Sequence, residues 1–239
     1  MTELPFSYSI RRSQRAVKVR IVVKPGRVEV VAPAKTKDAS IQQFVEAQQS
    51  WVVQALAKMA EKMQQHKTLA PAHYGQGVTI PYQGEFFSLT TKPTPLKRIK
   101  IEFIDAFIVH LPDTLDPNNC SDAIKAAFIN WLKKQTQIEV EQLVDQHAGK
   151  YRLYPRNITI KRQKSRWGSC GIHNDISINW LLSLAPKQIL EYVVVHELCH
   201  IREKNHSRQF WALVSEHLPD YQQHRLWLKK NGARLMMGI

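Results

Sequence analysis

Along the first third of the chain, apolar and polar residues alternate. Val17, Val19, Ile21 and Val23 share one face of residues 17–23, and the alternation resumes at residues 28–31. A period of two predicts half-buried strands, and Pro25-Gly26 between them predicts the turn of a hairpin. Residues 8–11 form a further short candidate strand, and Pro33 ends the run. From about residue 38 to 63 the period becomes helical, through Ile41, Phe44, Val45, Val52, Leu56 and Met59. Trp51 is expected to pack this helix on the hairpin. Residues 66–72 read as a loop. Strand patterns return at residues 78–82, 86–90 and 97–111, the last with a turn near Asp105.

The polar segment 112–119 opens with Pro112-Asp113 and is the best candidate boundary. It divides the chain into an N-terminal strand-rich region with one helix, residues 1–116, and a second domain, residues 117–239. The second domain opens with a long amphipathic pattern over residues 122–147, carrying Ile124, Ala127, Phe128, Trp131, Leu132, Ile138, Val140 and Leu143. Short strand patterns at residues 157–161 and 176–180 flank a turn at Trp167-Gly168-Ser169, and Asn174-Asp175 suits a turn before the second strand. Two helices and a basic tail helix around residues 226–234 follow. The expected fold class is α+β. No internal repeat or low-complexity segment is visible.

The first of those late helices carries the chemistry. Pro186 suits a first helical position, and neither Gly nor Pro interrupts the chain from there to Arg202. Leu190, Val194, Leu198 and Ile201 form its buried stripe. His196 and His200 stand four apart on a different face, close enough to hold one metal ion. Glu197 between them can polarise a water on that metal. Glu203 lies seven residues from His196, roughly 10 Å along the axis, too far to share the ion. The third ligand must therefore come from beyond the helix end. Lys204-Asn205 looks like the exit and Ser207 like the N-cap of the next helix, whose stripe is Phe210, Leu213, Val214, His217 and Leu218. His206, in the turn between, is the candidate third ligand; Glu216 and His217 are the fallback ligands. Three protein ligands leave a fourth position for water. Zinc is the expected metal, although cobalt or manganese also suit such a site.

Composition bounds the rest. With 239 residues and 44% hydrophobic content, the chain is long enough for a sizeable core. The N-terminus shows no signal-peptide pattern, and no stretch reaches membrane-span length, so no membrane partner is expected. Cys120, Cys170 and Cys199 form no regular framework, which with the missing export signal predicts a reducing cytoplasm. Cys199, next to His200, points elsewhere on the helix and is read as packing. The formal net charge is +14, a surface that attracts polyanions. Lys150, Arg152, Arg156, Lys161, Arg162, Lys164 and Arg166 follow one another with no acidic residue between, interleaved with Tyr151, Tyr154 and Trp167. That composition suits a nucleic-acid or nucleotide contact, with Lys161, Arg162 and Lys164 at its centre. A solvated strand face explains it as well. Arg11, Arg12, Arg15, Lys18, Arg20, Lys24 and Arg27 form a second basic cluster, at least equally readable as a solvated face.

Val194-Val195-His196-Glu197-Leu198-Cys199-His200, Asn205-His206-Ser207 and Phe210-Trp211 together resemble the YgjP-like metallopeptidase family. Its relatives include the SprT/Spartan and Wss1-type zinc peptidases. Ser165-Arg166-Trp167-Gly168-Ser169-Cys170 and Ile10-Arg11-Arg12-Ser13 with Trp51 extend the resemblance over nearly the whole chain. It implies a zincin-like metal-site domain, with His196, His200 and His206 as zinc ligands and Glu197 as base. By analogy with zincins, an extended substrate would pair with an exposed edge strand, for which residues 176–180 are the candidate. Arg166, Trp167 and Asn179 are accordingly the candidate substrate-binding residues. Arg166 and His173 are also candidate oxyanion donors, with a structural role for Arg166 equally open.

The leading expectation is a zinc metallopeptidase acting on a peptide or protein. A metal-dependent nucleotide phosphohydrolase would use the same site with a phosphoanhydride, and the basic run would clamp phosphates. No phosphate-cradling glycine loop supports it. A nucleic-acid-binding protein with a structural zinc is a third reading. Glu197 argues against that one, because a structural site has no use for a base between its ligands. The oligomeric state is not legible.

Overall fold

The computed structural model describes residues 4–24, 27–65, 69–116 and 119–239, with 60–65 described by their backbone alone. The chain divides into two compact units after Lys67, not in the 112–119 segment. The strands at residues 79–112 belong with everything that follows, because their apolar faces share a core with the long helix. The Pro25-Gly26 turn and part of the 66–72 loop lie outside the described residues.

The N-terminal unit holds β1 (Tyr8–Ser13), β2 (Arg20–Lys24), β3 (Arg27–Pro33), α1 (Asp38–Ala47) and α2 (Gln49–Gln65). The expected hairpin is present as the antiparallel pair β2–β3, and β1 lies parallel to β3 on its other side. Val30, Ala32, Ile41 and Val45 form a small core. The expected single helix is two, capped at Gln48, and Trp51 is 51% exposed instead of packed. Helical spacing from α1 does not carry through Gln48, so Trp51 faces solvent. Of the first basic cluster, Arg11, Arg12 and Arg27 pair with Glu29 or Asp38.

The larger unit begins with β4 (Thr79–Tyr82), β5 (Glu85–Thr94), β6 (Lys100–Phe103) and β7 (Phe107–Pro112), in the order β4-β5-β7-β6. Phe107 is fully buried among aromatic rings, 4.7 Å from Phe103, 5.0 Å from Phe128 and 5.4 Å from Trp131 between centroids. Phe128 and Trp131 belong to α3 (Ser121–Tyr151), so this cluster seals the sheet onto that helix. Next come β8 (Asn157–Lys161), β9 (Gly168–Cys170) and β10 (Asp175–Asn179), ordered β8-β10-β9, and a short 3-10 turn at Trp180–Leu184. Asn174, before β10, has φ of 64°, as a turn there requires. The chain ends with α4 (Lys187–Arg202), α5 (Arg208–His217) and α6 (Tyr221–Met237). Pro186 caps α4 instead of opening it.

One topology recurs among the sheets. In β1-β3-β2, β5-β7-β6 and β8-β10-β9 the last strand in sequence lies in the middle, parallel to the first and antiparallel to the second. The recurrence is invisible in the sequence, where the three segments share no residue pattern. For the functional reading it has a direct consequence: β10 is central, so the 176–180 strand is not an edge. The edges are β8 and β9.

Candidate metal centre and active site

α4 is anchored by Leu190, Val194 and Leu198, all buried, and turns His196 and His200 away from that stripe. It ends at Arg202, and Ser207 caps α5 by accepting from the Phe210 N–H at 3.2 Å. The turn between swings His206 back over the pair. Its Nε2 stands 3.0 Å from His196 Nε2 and 3.2 Å from His200 Nε2. The three residues form a group whose ligand atoms lie within 4.8 Å of one another. Two nitrogens on one tetrahedral zinc, each about 2.05 Å from it, stand ~3.3 Å apart. Three imidazole nitrogens this close repel as lone pairs, and one cation between them removes the conflict. The donor set therefore fits a metal.

The rings are held from outside. His200 Nδ1 lies 2.9 Å from the Glu203 carbonyl, which orients the ring and leaves Nε2 for the metal. That is the role left to Glu203. Phe210 stacks on His200 at 4.4 Å, and Trp211 stacks on His206 at 5.5 Å. His196 Nδ1 is buried with no hydrogen-bond partner among the described residues. Burial and the neighbouring His200 and His206 charges push the His196 pKa down to about 3, so the ring is neutral and able to ligate. Burial lowers that of His200 as well.

Glu197 is 6% exposed and lies under β9. Its carboxylate accepts the Cys170 backbone N–H. A Cβ at Gly168 would stand 2.5 Å from its Oε1, so any other residue there displaces the strand or the carboxylate. Burial pushes the Glu197 pKa up to about 8, against the opposing pull of Arg166 and the Cys170 N–H. A dication held beside it draws that value down.

β9 joins Glu197 to a sheet edge. Asn179 N–H donates to the Trp167 carbonyl at 2.8 Å, and Gly171 N–H to the Asp175 carbonyl at 2.9 Å. The alternation of an antiparallel ladder then turns the backbone groups of Gly168 and Cys170 away from β10. The Cys170 N–H found on Glu197 agrees.

The other candidate residues fare differently. Asn179 is fully buried, and its side-chain amide donates to the Gln163 and Arg166 carbonyls at 3.0 and 3.1 Å. It fastens the 163–167 loop and has nothing left for substrate. Trp167 is half-buried and packs against Gly232 of α6. Arg166 is exposed, and its charge favours the ionised form of Glu197. Lys161, Arg162 and Lys164 are exposed, with one Arg162 nitrogen 3.5 Å from the Met237 carbonyl. Of the interleaved aromatics only Tyr154 is open, at 63%. Tyr151 is engaged by Glu216, Lys150 and Arg202. The fallback ligands lie elsewhere: Glu216 meets Tyr151, and His217 lies against His147, 5.5 Å away between centroids. Cys199 is fully buried, in keeping with a packing role, and burial raises its thiol to about 12. Sequence reasoning reaches Gly168 and Cys170 only as parts of a motif; a glycine inside a strand is the available sign of a close approach. No helix among the described residues is long and apolar enough to cross a membrane.

Two comparisons bear on this site. The UTP pyrophosphatase of Escherichia coli (strain K12) is 38% identical to the chain over 58 residues, 23% of this chain and 35% of that protein. The chain thus matches about a third of that relative's length. The model of the YgjP-like metallopeptidase domain matches residues 17–231, nearly the whole chain, and the chain belongs to the YgjP-like metallopeptidase family.

Proposed function

We propose that the protein is a zinc-dependent peptidase with a zincin-like core. One observation carries the reading: a buried carboxylate, Glu197, is held by Cys170 N–H under a glycine of an edge strand, one residue from a converging histidine triad. His196, His200 and His206 would hold the zinc, which supplies a Lewis acid and makes water a nucleophile at neutral pH. Glu197 takes a proton from the attacking water at its carboxylate and returns it to the leaving amine. The outward backbone groups of β9 other than the Cys170 N–H, which serves Glu197, would pair with an extended peptide, giving affinity with little side-chain preference. Substrate pairing is thereby assigned to β9 in place of β10. The absence of a disulfide among the described residues suits a cytoplasmic location.

A second reading has specific support. The same base serves a phosphoanhydride, whose leaving phosphate needs no extended strand, and the Escherichia coli relative is a UTP pyrophosphatase. Exposed Arg166 supplies a suitable cation. The deciding experiment measures hydrolysis of casein and of UTP, each with and without a chelator. Chelator-sensitive casein cleavage supports the peptidase; cleavage of UTP alone replaces it with the pyrophosphatase. Activity on neither sinks both.

A further inference from the structure

We propose that Arg225 recognises an anionic oxygen of the substrate beside the metal centre. Arg225 is an exposed residue of α6, and its guanidinium carbon lies 4.7 Å from the Trp211 ring centre. Trp211 stacks on His206 at 5.5 Å and on Tyr221 at 5.3 Å. The cation is therefore two ring contacts from a metal ligand. No carboxylate pairs with it among the described residues. Asp220, at the start of the same helix, is engaged by His224 at 3.2 Å.

An exposed arginine without a partner is ordinarily a mobile, solvated group. Here the guanidinium lies over the indole, and none of its N–H donors has a hydrogen-bond partner among the described residues. Ordering is largely complete before a ligand arrives, which favours binding. A planar fork of donors matches a carboxylate or a phosphate through two parallel hydrogen bonds. The anion is either the free C-terminal carboxylate of a peptide or a phosphate of a nucleotide. The inference rests on the hydrolase reading, since the anion belongs to the molecule that is cleaved.

The test is calorimetric titration of the zinc-loaded protein with inorganic pyrophosphate, and separately with a short peptide and its C-terminal amide. Arg225→Gln should weaken binding of the recognised anion by about tenfold or more, the loss expected for a charge-assisted hydrogen bond. Arg225→Lys should recover part of it, and zinc content after titration should stay at the wild-type level. Weakening confined to pyrophosphate identifies a phosphate. Weakening of the free-acid peptide with the amide unaffected identifies a carboxyl terminus. Wild-type affinity of Arg225→Gln for both anions overturns the proposal, as does a wild-type protein that binds neither. Zinc loss in both variants makes Arg225 a prop for the ligand shell and also overturns it. Glu197→Gln separates the two ideas: turnover persisting in that variant removes the hydrolytic reading while the Arg225 titrations stand.

Discussion

Gly168 and Glu197 approach so closely that a side chain at position 168 cannot enter without a shift: an added Cβ would meet Oε1 at 2.5 Å, Cγ at 2.7 Å and Cδ at 2.9 Å. The strand and the base are thus fitted to each other. Gly168→Ala must move either β9 or the carboxylate. The expected outcome is a loss of turnover of at least about tenfold, since misplaced catalytic groups lose rate steeply. Metal content should not change, because the atoms nearest an added Cβ at residue 168 are all those of Glu197 and not of a histidine. Activity assays paired with metal analysis check this. An alanine variant as active as wild type would show that the close approach is unimportant to catalysis.

Glu197→Gln keeps the size of the side chain and removes its ability to accept a proton. The variant should bind metal normally and lose about two to four orders of magnitude in rate. Because the residue is 6% exposed, a neutral amide is also cheaper to bury than a carboxylate, and thermal stability should not fall. Near-wild-type turnover would take Glu197 out of the mechanism.

His206→Ala should strongly weaken zinc binding, whereas Glu216→Ala should not. His206 Nε2 stands within 3.2 Å of both other ligand nitrogens, while Glu216 is committed to Tyr151. Metal analysis after dialysis against a weak chelator distinguishes them. Full zinc in His206→Ala, with depletion in Glu216→Ala, would reverse the ligand assignment.

How much of the molecule is legible in its sequence follows from the range of each interaction. The convergence of the three histidines can be read because His196, His200 and Glu197 lie on one helix turn, and a cap residue, Ser207, marks where the next helix begins after His206. Spacing along one helix is a local property. Strand existence is equally local, and β2, β3, β8 and β10 fall where the alternation predicts. Strand order is not, because nothing in residues 176–180 says that partners lie on both sides. The wrong substrate edge follows directly. Asn179 looks available because polarity in a strand reads as exposure; the loop carbonyls it serves come from 13 and 16 residues away. The domain boundary fails similarly. A polar linker at residues 112–119 marks a change of element, yet Phe107 and Phe128 pack across it.

The basic run at residues 150–166 is a nucleic-acid contact only if its cations act together. Lys161→Gln, Arg162→Gln and Lys164→Gln combined should then flatten the dependence of single-stranded DNA binding on salt, by about 0.7 in log–log slope for each phosphate no longer neutralised. Zinc content should be unaffected. Two of the three interleaved aromatics, Tyr151 and Trp167, are packed against protein, so base stacking contributes little and the slope is the informative measurement. An unchanged slope leaves these residues as the solvated face of β8 and its loop.

The last prediction concerns acid stability and is independent of the metal. His217 lies against His147 and Tyr151, with Lys150 and Glu216 nearby, and its Nε2 is buried without a partner among the described residues. Burial, then the His147 and Lys150 charges, lower its pKa from the ordinary 6.5 to about 4, with Glu216 opposing. In the unfolded chain the ring takes its proton near 6.5, while in the folded protein it resists until about 4. Between those values the unfolded state binds more protons, so stability is full above pH 6.5 and falls as the pH drops through this window. His217→Gln cannot charge and lacks this contribution. Urea unfolding of both proteins at pH 7 and pH 5, in chelator so that zinc release from the triad does not intervene, should show the wild type losing more stability than the variant. Groups that do not touch His217 contribute alike in both proteins and cancel in the comparison. Equal losses would mean that His217 accepts its proton in the folded state as readily as in the unfolded chain.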